Sequence, residues 1–308
     1  MLSVLARPLP VKVKDKLKFY TKDFLGIFFD RYKYSWGHYA LVRSLVCGLK
    51  QTTTFFNFNP FRSGQLAETV WVAADVKALE QMIALKKSGQ IKKLIAGPIM
   101  VISPEEHNRI IASPEIDLYL VNSEWTRRYY LPVRDCLIWP AGVDDSFWAP
   151  NKNKTKNRIL FYYKNGDKKL YNKCLNFAIS KGFIVDEIVY GRYSRRHYKQ
   201  ALNNSKIAVF FSESESQGLA LMEAWSMNVP TLVWNRGYAE INGQKIPASA
   251  APFISDVTGR TFLNFEEFVV NFNNDFNYHP RQWIMENMTE KKSVSSLLLK
   301  IKMYGINI

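Results

Sequence analysis

Two glutamates, Glu215 and Glu223, have seven residues between them and show the clearest potential for chemistry. Glu215 lies in a polar turn after the apolar run Ile207 to Phe211. Glu223 is the single charge on an otherwise apolar helix predicted from about Gly218 to Met227. A helix that is apolar on every side is a buried helix, so its lone carboxylate needs a hydrogen-bonding partner. This arrangement indicates a polar ligand held at the turn.

Phosphate is the anion that the free amides of a helix start usually bind. The amides expected to face it belong to four consecutive residues, Ser216, Gln217, Gly218 and Leu219. The spacing suits a nucleotide sugar, with Glu223 on the ribose hydroxyls and Glu215 facing the sugar. The alternative is that Ser214 or Ser216 is a plain N-cap and that Glu223 pairs with a nearby lysine.

The elements that must position this turn are two buried strands, Ile207 to Phe211 and Thr231 to Trp234, with the helix between them. Asn228, followed by Val-Pro, predicts a left-handed end to the helix. Earlier in the chain, strand-helix-strand patterns recur, for example a strand at Val70 to Ala73 before a helix at Val76 to Lys87. Such alternation is typical of α/β proteins with parallel sheets, which bind ligands at the carboxyl ends of their strands.

The stretch ESQGLALMEAWSMNVPTLVW resembles the donor-site signature of retaining GT-B glycosyltransferases of the family-four type, also called glycosyl transferases group 1. EIDLYLVNSEWTRRYYL and LIWPAGVDDSFWAP are similar to stretches that close the first domain of that family and form its linker. The resemblance implies two Rossmann-like domains whose parallel sheets face each other across a cleft. It implies an acceptor-side domain at 1–149, a nucleotide-sugar domain at 150–280, and a helical segment, 281–308, that packs back on the first domain.

The resemblance also assigns the basic loop in ILFYYKNGDKK. Members of the family carry an arginine and, five positions on, a lysine that grip the donor phosphates. Lys164 and Lys169 have this spacing, although a lysine replaces the arginine and loses its bidentate fork. Lys168 is the alternative to Lys169, and a solvated charge run is the alternative to both. Together with the helix amides, these lysines are expected to stabilise the leaving diphosphate electrostatically, while Glu215 faces the sugar.

In the first domain the segment VKVKDKLKFYTKDFLGIFFDRYKY predicts the first strand at Leu25 to Phe29, followed by a turn at Ser35 to His38. The family has a glycine loop here, so Gly37 is expected at the donor phosphates and His38 near the reacting sugar. Many members place a histidine after a later strand, where this chain reads IAGPIMVIS. That departure leaves the acceptor-side chemistry open, and His107 lies only a few residues further on.

Composition narrows the possible classes of protein. A chain of 308 residues is long enough for two domains, and 47% hydrophobic residues are typical of a folded protein. No apolar run approaches the roughly 18 residues that a membrane span needs. The three cysteines are widely spaced, which indicates free thiols and a cytoplasmic location. No Asp-x-Asp or cysteine cluster occurs, so we expect no metal ion and no cofactor, only a nucleotide-diphosphate sugar as donor substrate.

The resemblance therefore implies a retaining, hexosyltransferase-type enzyme that acts on a glycan or lipid-linked acceptor, and we expect it to be metal-independent. The formal net charge of +15 calls for an acidic partner, and the mixed Lys-aromatic segment Val11 to Lys33 suggests peripheral attachment to an anionic membrane. A soluble acceptor is the alternative. Three other functions stay open: an inactive GT-B binding subunit, a basic nucleic-acid-binding protein and a GT-B epimerase. The donor-site stretch has no purpose in a nucleic-acid binder.

Overall fold

The computed structural model describes residues 1–10, 37–73, 75–151, 158–274 and 277–308. These residues group into two compact units. Unit 1 comprises Met1–Asn122, Arg127–Trp139 and Val294–Ile308, and unit 2 comprises Ser123–Thr126 and Pro140–Ser293. The grouping starts the main part of unit 2 at Pro140, ahead of the boundary that the linker resemblance implies.

Unit 1 contains a six-stranded parallel sheet in the order β2-β1-β3-β4-β5-β6. Its strands are β1 (Leu2–Leu5), β2 (Phe56–Phe58), β3 (Thr69–Val72), β4 (Lys93–Ala96), β5 (Leu118–Val121) and β6 (Leu137–Ile138). The helices of this part of the chain are α1 (Gly37–Lys50), α2 (Val76–Lys87) and α3 (Glu124–Tyr130), with short helical turns at Ser63–Gln65, Glu106–Arg109 and Ile110–Ala112.

Unit 2 is built on a five-stranded parallel sheet in the order β13-β10-β9-β7-β8. Its strands are β7 (Arg158–Tyr163), β8 (Ile184–Val189), β9 (Ser205–Phe211), β10 (Thr231–Trp234) and β13 (Gly259–Phe262), and an antiparallel hairpin is formed by β11 (Tyr238–Ile241) and β12 (Gln244–Pro247). The helices are α4 (Lys168–Ser180), α5 (Arg195–Asn204), α6 (Leu219–Ser226), α7 (Phe265–Asn273), α8 (Pro280–Asn287) and α9 (Glu290–Met303).

The central strands form because their apolar runs are covered on both faces, as parallel sheets require. All four residues of β3 and of β10 are buried. Polar side chains then start the helices: Asp75 accepts a hydrogen bond from the Ala78 amide at 2.8 Å, and Asp167 accepts one from the Leu170 amide at 2.9 Å. Strand and helix starts of this kind place the loops at the carboxyl edge of each sheet.

The final helix, α9, is shared between the groupings, with Glu290–Ser293 in unit 2 and the residues from Val294 onward in unit 1. Beyond the helix, the Thr69 hydroxyl donates a hydrogen bond of 3.0 Å to the Asn307 carbonyl, which fixes the tail on unit 1. Over the residues that the structure describes, none of the helices combines the length and apolar content needed to cross a bilayer.

Several sequence-based predictions are corrected or left open by these elements. The strand at Leu25 to Phe29 and the segment Val11 to Lys33 lie outside the described residues. Leu2–Leu5 forms a strand that the sequence did not predict, and it lies between β2 and β3. The turn at Ser35 to His38 is wrong in its second half. Gly37 and His38 begin α1, because the first amides of a helix need no intrahelical partner and glycine there interrupts nothing.

One close approach in unit 2 should be sensitive to a single methyl group. Val143 forms a bridge with Thr289, and a Cβ atom added at Gly142 would lie 2.5 Å from both the Thr289 oxygen and the Glu290 Cα atom. We expect Gly142→Ala to lower the free energy of unfolding by about 1–3 kcal/mol, because main-chain atoms cannot move aside as a side chain can.

Urea denaturation measures this effect, and Gly64→Ala is the matched control because nothing lies within 4 Å of the position of its added methyl. Equal midpoints for the two variants would contradict the expected crowding at Gly142.

Candidate functional site

The candidate site lies at the carboxyl edge of the unit 2 sheet, where β7 and β9 end side by side. The two strands are parallel neighbours, and Tyr163 at the end of one is opposite Phe211 at the end of the other. The Lys164 amide donates a hydrogen bond of 2.9 Å to the Phe211 carbonyl, which extends the pairing by one residue. Parallel pairing therefore brings the segment after β7 against the segment after β9.

Glu215 and Lys164, both predicted from the sequence as catalytic, form an ion pair at this edge. Lys164 Nζ lies 2.9 Å from Glu215 Oε1, and Ser212 Oγ donates to the same oxygen at 2.8 Å. The Lys164 side chain is 28% exposed and the Glu215 side chain is 21% exposed. An incoming anion can therefore reach Lys164 and replace Glu215 as the partner of its ammonium group, because the pair is not fully buried.

The main chain of Glu215 is held on both sides. Its amide donates to the Ser249 carbonyl at 2.9 Å, and its carbonyl accepts a hydrogen bond of 2.8 Å from the Trp125 indole. Sequence reasoning missed both partners. Trp125 was available in the Ser-Glu-Trp-Thr stretch quoted for its resemblance, whereas no local pattern singles out Ser249.

Gln217 was predicted to lie at a phosphate, but its side chain has a structural role. Its side chain is 4% exposed, and its amide oxygen accepts from the Ala141 amide at 2.9 Å while its amide nitrogen donates to the Ala141 carbonyl at 2.6 Å. Both ends of the side chain are thus committed to main-chain groups. Any contact between Gln217 and a nucleotide has to come from the main chain.

Gly218 caps α6 in a left-handed conformation, with φ of 82° and ψ of 52°, and no side chain caps the helix. The alternative that Ser214 or Ser216 is the N-cap is therefore wrong. A side chain at residue 218 would be strained at this φ, and its Cβ would lie 3.0 Å from a Leu221 methyl. The Leu221 amide already donates to the Gly218 carbonyl at 3.0 Å, so the amides at the start of this eight-residue helix that favour an anion are those of Leu219 and Ala220.

Glu223 lies on the side of α6 that is only partly buried, together with Leu219 and Ala220. The prediction of a helix buried on every side is therefore wrong, and one face stays accessible to a ligand. The pKa of Tyr193 is raised, mainly by its burial and next by the negative charge of Glu223. Tyr193 also feels the charge of Glu215, so a tyrosine stands within electrostatic reach of both glutamates.

A group of tyrosines that the sequence did not single out surrounds Tyr193. The Tyr162 and Tyr193 hydroxyls are 3.2 Å apart, and the Tyr198 hydroxyl donates to the Ala220 carbonyl at 2.8 Å. Tyr190, at the end of β8, is 41% exposed, and Lys164 Nζ lies 5.2 Å from the centre of its ring. The edge therefore offers an accessible aromatic face beside the ion pair.

Lys168 and Lys169 were predicted to lie in a loop, but they are the first two residues of α4. Lys168 Nζ lies over the rings of Tyr163 and Tyr171, at 4.4 and 3.8 Å from their centres. Lys169 is exposed. Helical geometry separates these lysines because residues at adjacent positions point about 100° apart. Of the predicted basic residues, Lys164 alone is brought against Glu215 in the part of the chain that the structure describes.

Arg236, which follows β10, is a further charged group at this edge that the sequence analysis missed. Its side chain is 13% exposed, with Nη2 3.3 Å from Glu213 Oε2 and Nε donating to the Tyr238 carbonyl at 3.0 Å. The Glu213 amide donates to Asn165 Oδ1 at 3.0 Å. Arg236 and Asn165 thereby tie the ends of β10 and β7 to the turn that carries Glu215.

The remaining predicted residues, Gly37 and His38, belong to α1 in unit 1. Among residues 1–10, 37–73, 75–151, 158–274 and 277–308, no group of three or more histidines, cysteines and acidic residues has the arrangement to hold a metal ion. The three cysteines are free, and burial raises the pKa of Cys136 and Cys174 to about 12. Those two thiols are therefore not nucleophiles at neutral pH.

Comparison with solved structures identifies the fold. The chain is similar to AviGT4, a glycosyltransferase involved in avilamycin A biosynthesis, with a TM-score of 0.52 and 12% identity over 99% of this chain and 97% of that one. It is also similar to WaaB, a lipopolysaccharide outer core galactosyltransferase, with a TM-score of 0.56 and 12% identity over 99% of both chains. The chain has the GT-B fold.

A third similar structure is the pneumococcal O-GlcNAc transferase GtfA in complex with UDP and GlcNAc. Its TM-score is 0.50 at 11% identity, over 80% of this chain and 59% of that one. No family model and no curated protein sequence matches the chain. At such low identity the likeness is one of fold, so the chemistry of the GT-B chain has to be argued from its own residues.

The reciprocal bonds of Gln217 generate a testable prediction. We expect Gln217→Leu to lower the free energy of unfolding by about 2–4 kcal/mol, because the amide and the carbonyl of buried Ala141 both lose their partner. Chemical denaturation of the variant measures the loss.

Gln282→Leu is the control. The Gln282 amide bonds to exposed Glu286 at 2.9 Å, so its removal should change stability little. A Gln217 variant as stable as this control would contradict the structural task assigned to Gln217.

Proposed function

We propose that this protein transfers a sugar from a nucleotide-diphosphate sugar to an acceptor glycan or lipid-linked acceptor. The observation that carries the proposal is the Lys164–Glu215 pair, in which Glu215 lies on the turn before α6 and Lys164 follows β7. A cation and the free amides of a helix start are what a diphosphate requires, and the neighbouring carboxylate is suited to sugar hydroxyls. The GT-B fold adds support, because its solved examples above are glycosyltransferases.

The residues divide the donor between them. The diphosphate lies against the amides from Ser216 to Leu219, with Lys164 as its counter-ion. Once Lys164 turns to the phosphates, Glu215 is released to accept hydrogen bonds from the sugar. Glu223, on the accessible face of α6, accepts from the ribose, and the exposed ring of Tyr190 is available to the base. In the fold relative GtfA, UDP and GlcNAc are the bound molecules, which is consistent with this division.

The reaction that suits these groups is a hexosyl transfer with retention at the anomeric carbon. The largest demand is to stabilise the negative charge that develops on the leaving diphosphate. Lys164 and the helix amides meet this demand, whereas Lys169 contributes only if the α4 start moves toward the ligand. We propose that no divalent cation takes part. The cytoplasmic location and the membrane attachment through Val11 to Lys33 remain proposals of the same kind.

A second candidate, a GT-B subunit that binds nucleotide sugars without transferring them, is favoured by one observation. The segment after β4, Gly97 to Met100, contains no histidine where many family members have one. This candidate shares the donor site but predicts binding without turnover. The two functions therefore separate in one assay.

The deciding experiment is calorimetric titration with UDP-, GDP- and ADP-sugars, followed by detection of released nucleoside diphosphate. Binding of one nucleotide sugar together with slow release of its nucleoside diphosphate supports transfer. Binding without any release, in the presence of a glycan acceptor panel, favours the inactive subunit. A protein that binds none of these ligands is not a glycosyltransferase of the proposed kind.

Glu223→Gln tests the ribose contact. We expect the dissociation constant for the nucleoside diphosphate to rise about 10- to 150-fold, which corresponds to one charge-assisted hydrogen bond of about 1.5–3 kcal/mol. Titration calorimetry measures the change, with Glu286→Gln on the exposed face of α8 as the control. Unchanged affinity in the Glu223 variant would remove Glu223 from the ribose site.

Lys164→Ala tests the phosphate contact. We expect the dissociation constant to rise steeply at low salt and less at high salt, because added ions screen the charge that the lysine supplies. Lys169→Ala, the exposed neighbour, should change affinity less than Lys164→Ala.

Lys168→Ala completes the series, since its ammonium lies over two tyrosine rings. If Lys169 or Lys168 proved more important than Lys164, the phosphates would lie toward the α4 start and away from the Glu215 pair.

Removal of metal ions tests the last part of the proposal. Nucleoside diphosphate release should continue at an unchanged rate in excess EDTA, because lysine and helix amides balance the phosphate charge. A strict requirement for added Mg²⁺ or Mn²⁺ would contradict a metal-independent reaction.

A further inference from the structure

The turn that carries Glu215 receives a hydrogen bond from a part of the chain far away in sequence. The Trp125 indole donates to the Glu215 carbonyl at 2.8 Å across 90 positions. On the other side of the same residue, the Glu215 amide donates to the Ser249 carbonyl at 2.9 Å. Glu215 is therefore fixed at both of its peptide groups by two different segments.

Trp125 itself lies in a buried, hydrogen-bonded turn. It is in the first turn of α3, and the segment Ser123–Thr126 belongs to unit 2 together with Glu215. Ser123 and Thr126 are buried, and they bond to each other through the Thr126 hydroxyl at 2.7 Å to the Ser123 carbonyl and at 3.0 Å from the Ser123 amide. The indole is thus presented from a turn that is closed by its own hydrogen bonds.

Fixing both peptide groups of one residue fixes the direction of its Cα–Cβ bond, and with it the origin of its side chain. The Glu215 carboxylate then reaches Lys164 at 2.9 Å and Ser212 at 2.8 Å. If the carbonyl of Glu215 lost its donor, the peptide plane between residues 215 and 216 would be free to rotate. The carboxylate would shift, while the main chain of Lys164, held by its amide bond to Phe211, would stay in place.

From this geometry we infer that Trp125 is a positioning residue that aims the Glu215 carboxylate at the sugar of the bound donor. The inference rests on the proposed function, and it adds a residue that lies outside the turn and outside the basic loop. The indole acts through its N–H group on the Glu215 main chain. Trp125 therefore governs the sugar half of the ligand, while the diphosphate half depends on Lys164 and the α6 amides.

Because Trp125 is assigned to the sugar half of the ligand alone, a positioning role can be distinguished from a general stabilising role. A residue that only stabilises unit 2 would, when changed, weaken the binding of nucleoside diphosphate and nucleotide sugar alike. A residue that aims Glu215 would leave the nucleoside diphosphate unaffected and reduce the additional affinity that the sugar provides. A misplacement of about 1 Å at a reacting group can cost up to about 100-fold in rate.

The test uses the full-length chain with Trp125→Phe and with a second variant in which an isosteric benzothiophene side chain replaces the indole at position 125. The second variant keeps the ring volume and removes only the N–H donor. Titrations compare UDP with UDP-glucose, GDP with GDP-mannose and ADP with ADP-glucose. Trp283→Phe is the control, because Trp283 is a partly buried tryptophan of the same unit whose ring packs on Trp225 in the last turn of α6.

We expect both Trp125 variants to bind the nucleoside diphosphate within about twofold of the wild type, with the preference for the nucleotide sugar reduced about tenfold and release of nucleoside diphosphate slowed by about 10- to 100-fold. Hydrogen exchange should accelerate at the amides from Glu215 to Leu219 in the Trp125 variants. The Trp283 variant should change neither the preference nor this local exchange.

Retention of the sugar preference by the isosteric variant, or a uniform rise in exchange throughout unit 2, would overturn the inference. The exchange measurement needs no ligand. If the wild-type protein binds none of the nucleotides, the proposed function fails, and the assignment of Trp125 to the sugar fails with it. Exchange then still reports separately whether the indole holds the turn.

Discussion

The pairing of β7 with β9 is the constraint on which the candidate site depends. Parallel strands in register end together, and here Tyr163 faces Phe211, so the residues that follow emerge side by side. This places a lysine from one loop 2.9 Å from a glutamate of the other, although they are 51 positions apart. A register shift of one residue would reverse the side-chain direction along the strand and separate the charges. The register of the sheet therefore determines which charged residues of the two loops lie side by side.

The turn after β9 is held from several directions. Trp125, Ser249 and Ala141 each bond to it, and they come from three segments that are remote from one another in sequence. Such cross-bracing reduces the number of conformations open to Glu215 and Gly218. A site prepared in this way loses less entropy when its ligand binds, which favours tight and specific recognition.

Local patterns in the sequence were sufficient for much of this architecture. The strand Thr231–Trp234 and the helix Val76–Lys87 have the predicted bounds, and Asn228 has the predicted left-handed conformation, with φ of 55°. Strand β1 was missed because four residues are too few to show a periodic pattern, and the first strand was predicted at Leu25 to Phe29 instead. The contacts of Trp125, Ser249 and Arg236 were beyond prediction for a different reason. Their partners are main-chain or charged groups brought near only by tertiary structure, and a single sequence does not record such contacts.

The two hydrogen bonds between Gln217 and Ala141 restrict the choice of amino acid more at position 217 than at position 141. One side uses an amide side chain, which glutamine alone supplies at this length. The other uses a peptide unit, which nearly every amino acid provides and only proline lacks. Among descendants of this chain, drift at residue 141 should be limited by the space around it and by the exclusion of proline, whereas residue 217 should scarcely drift at all. The partner that varies more would thus conceal how firmly the pair is coupled.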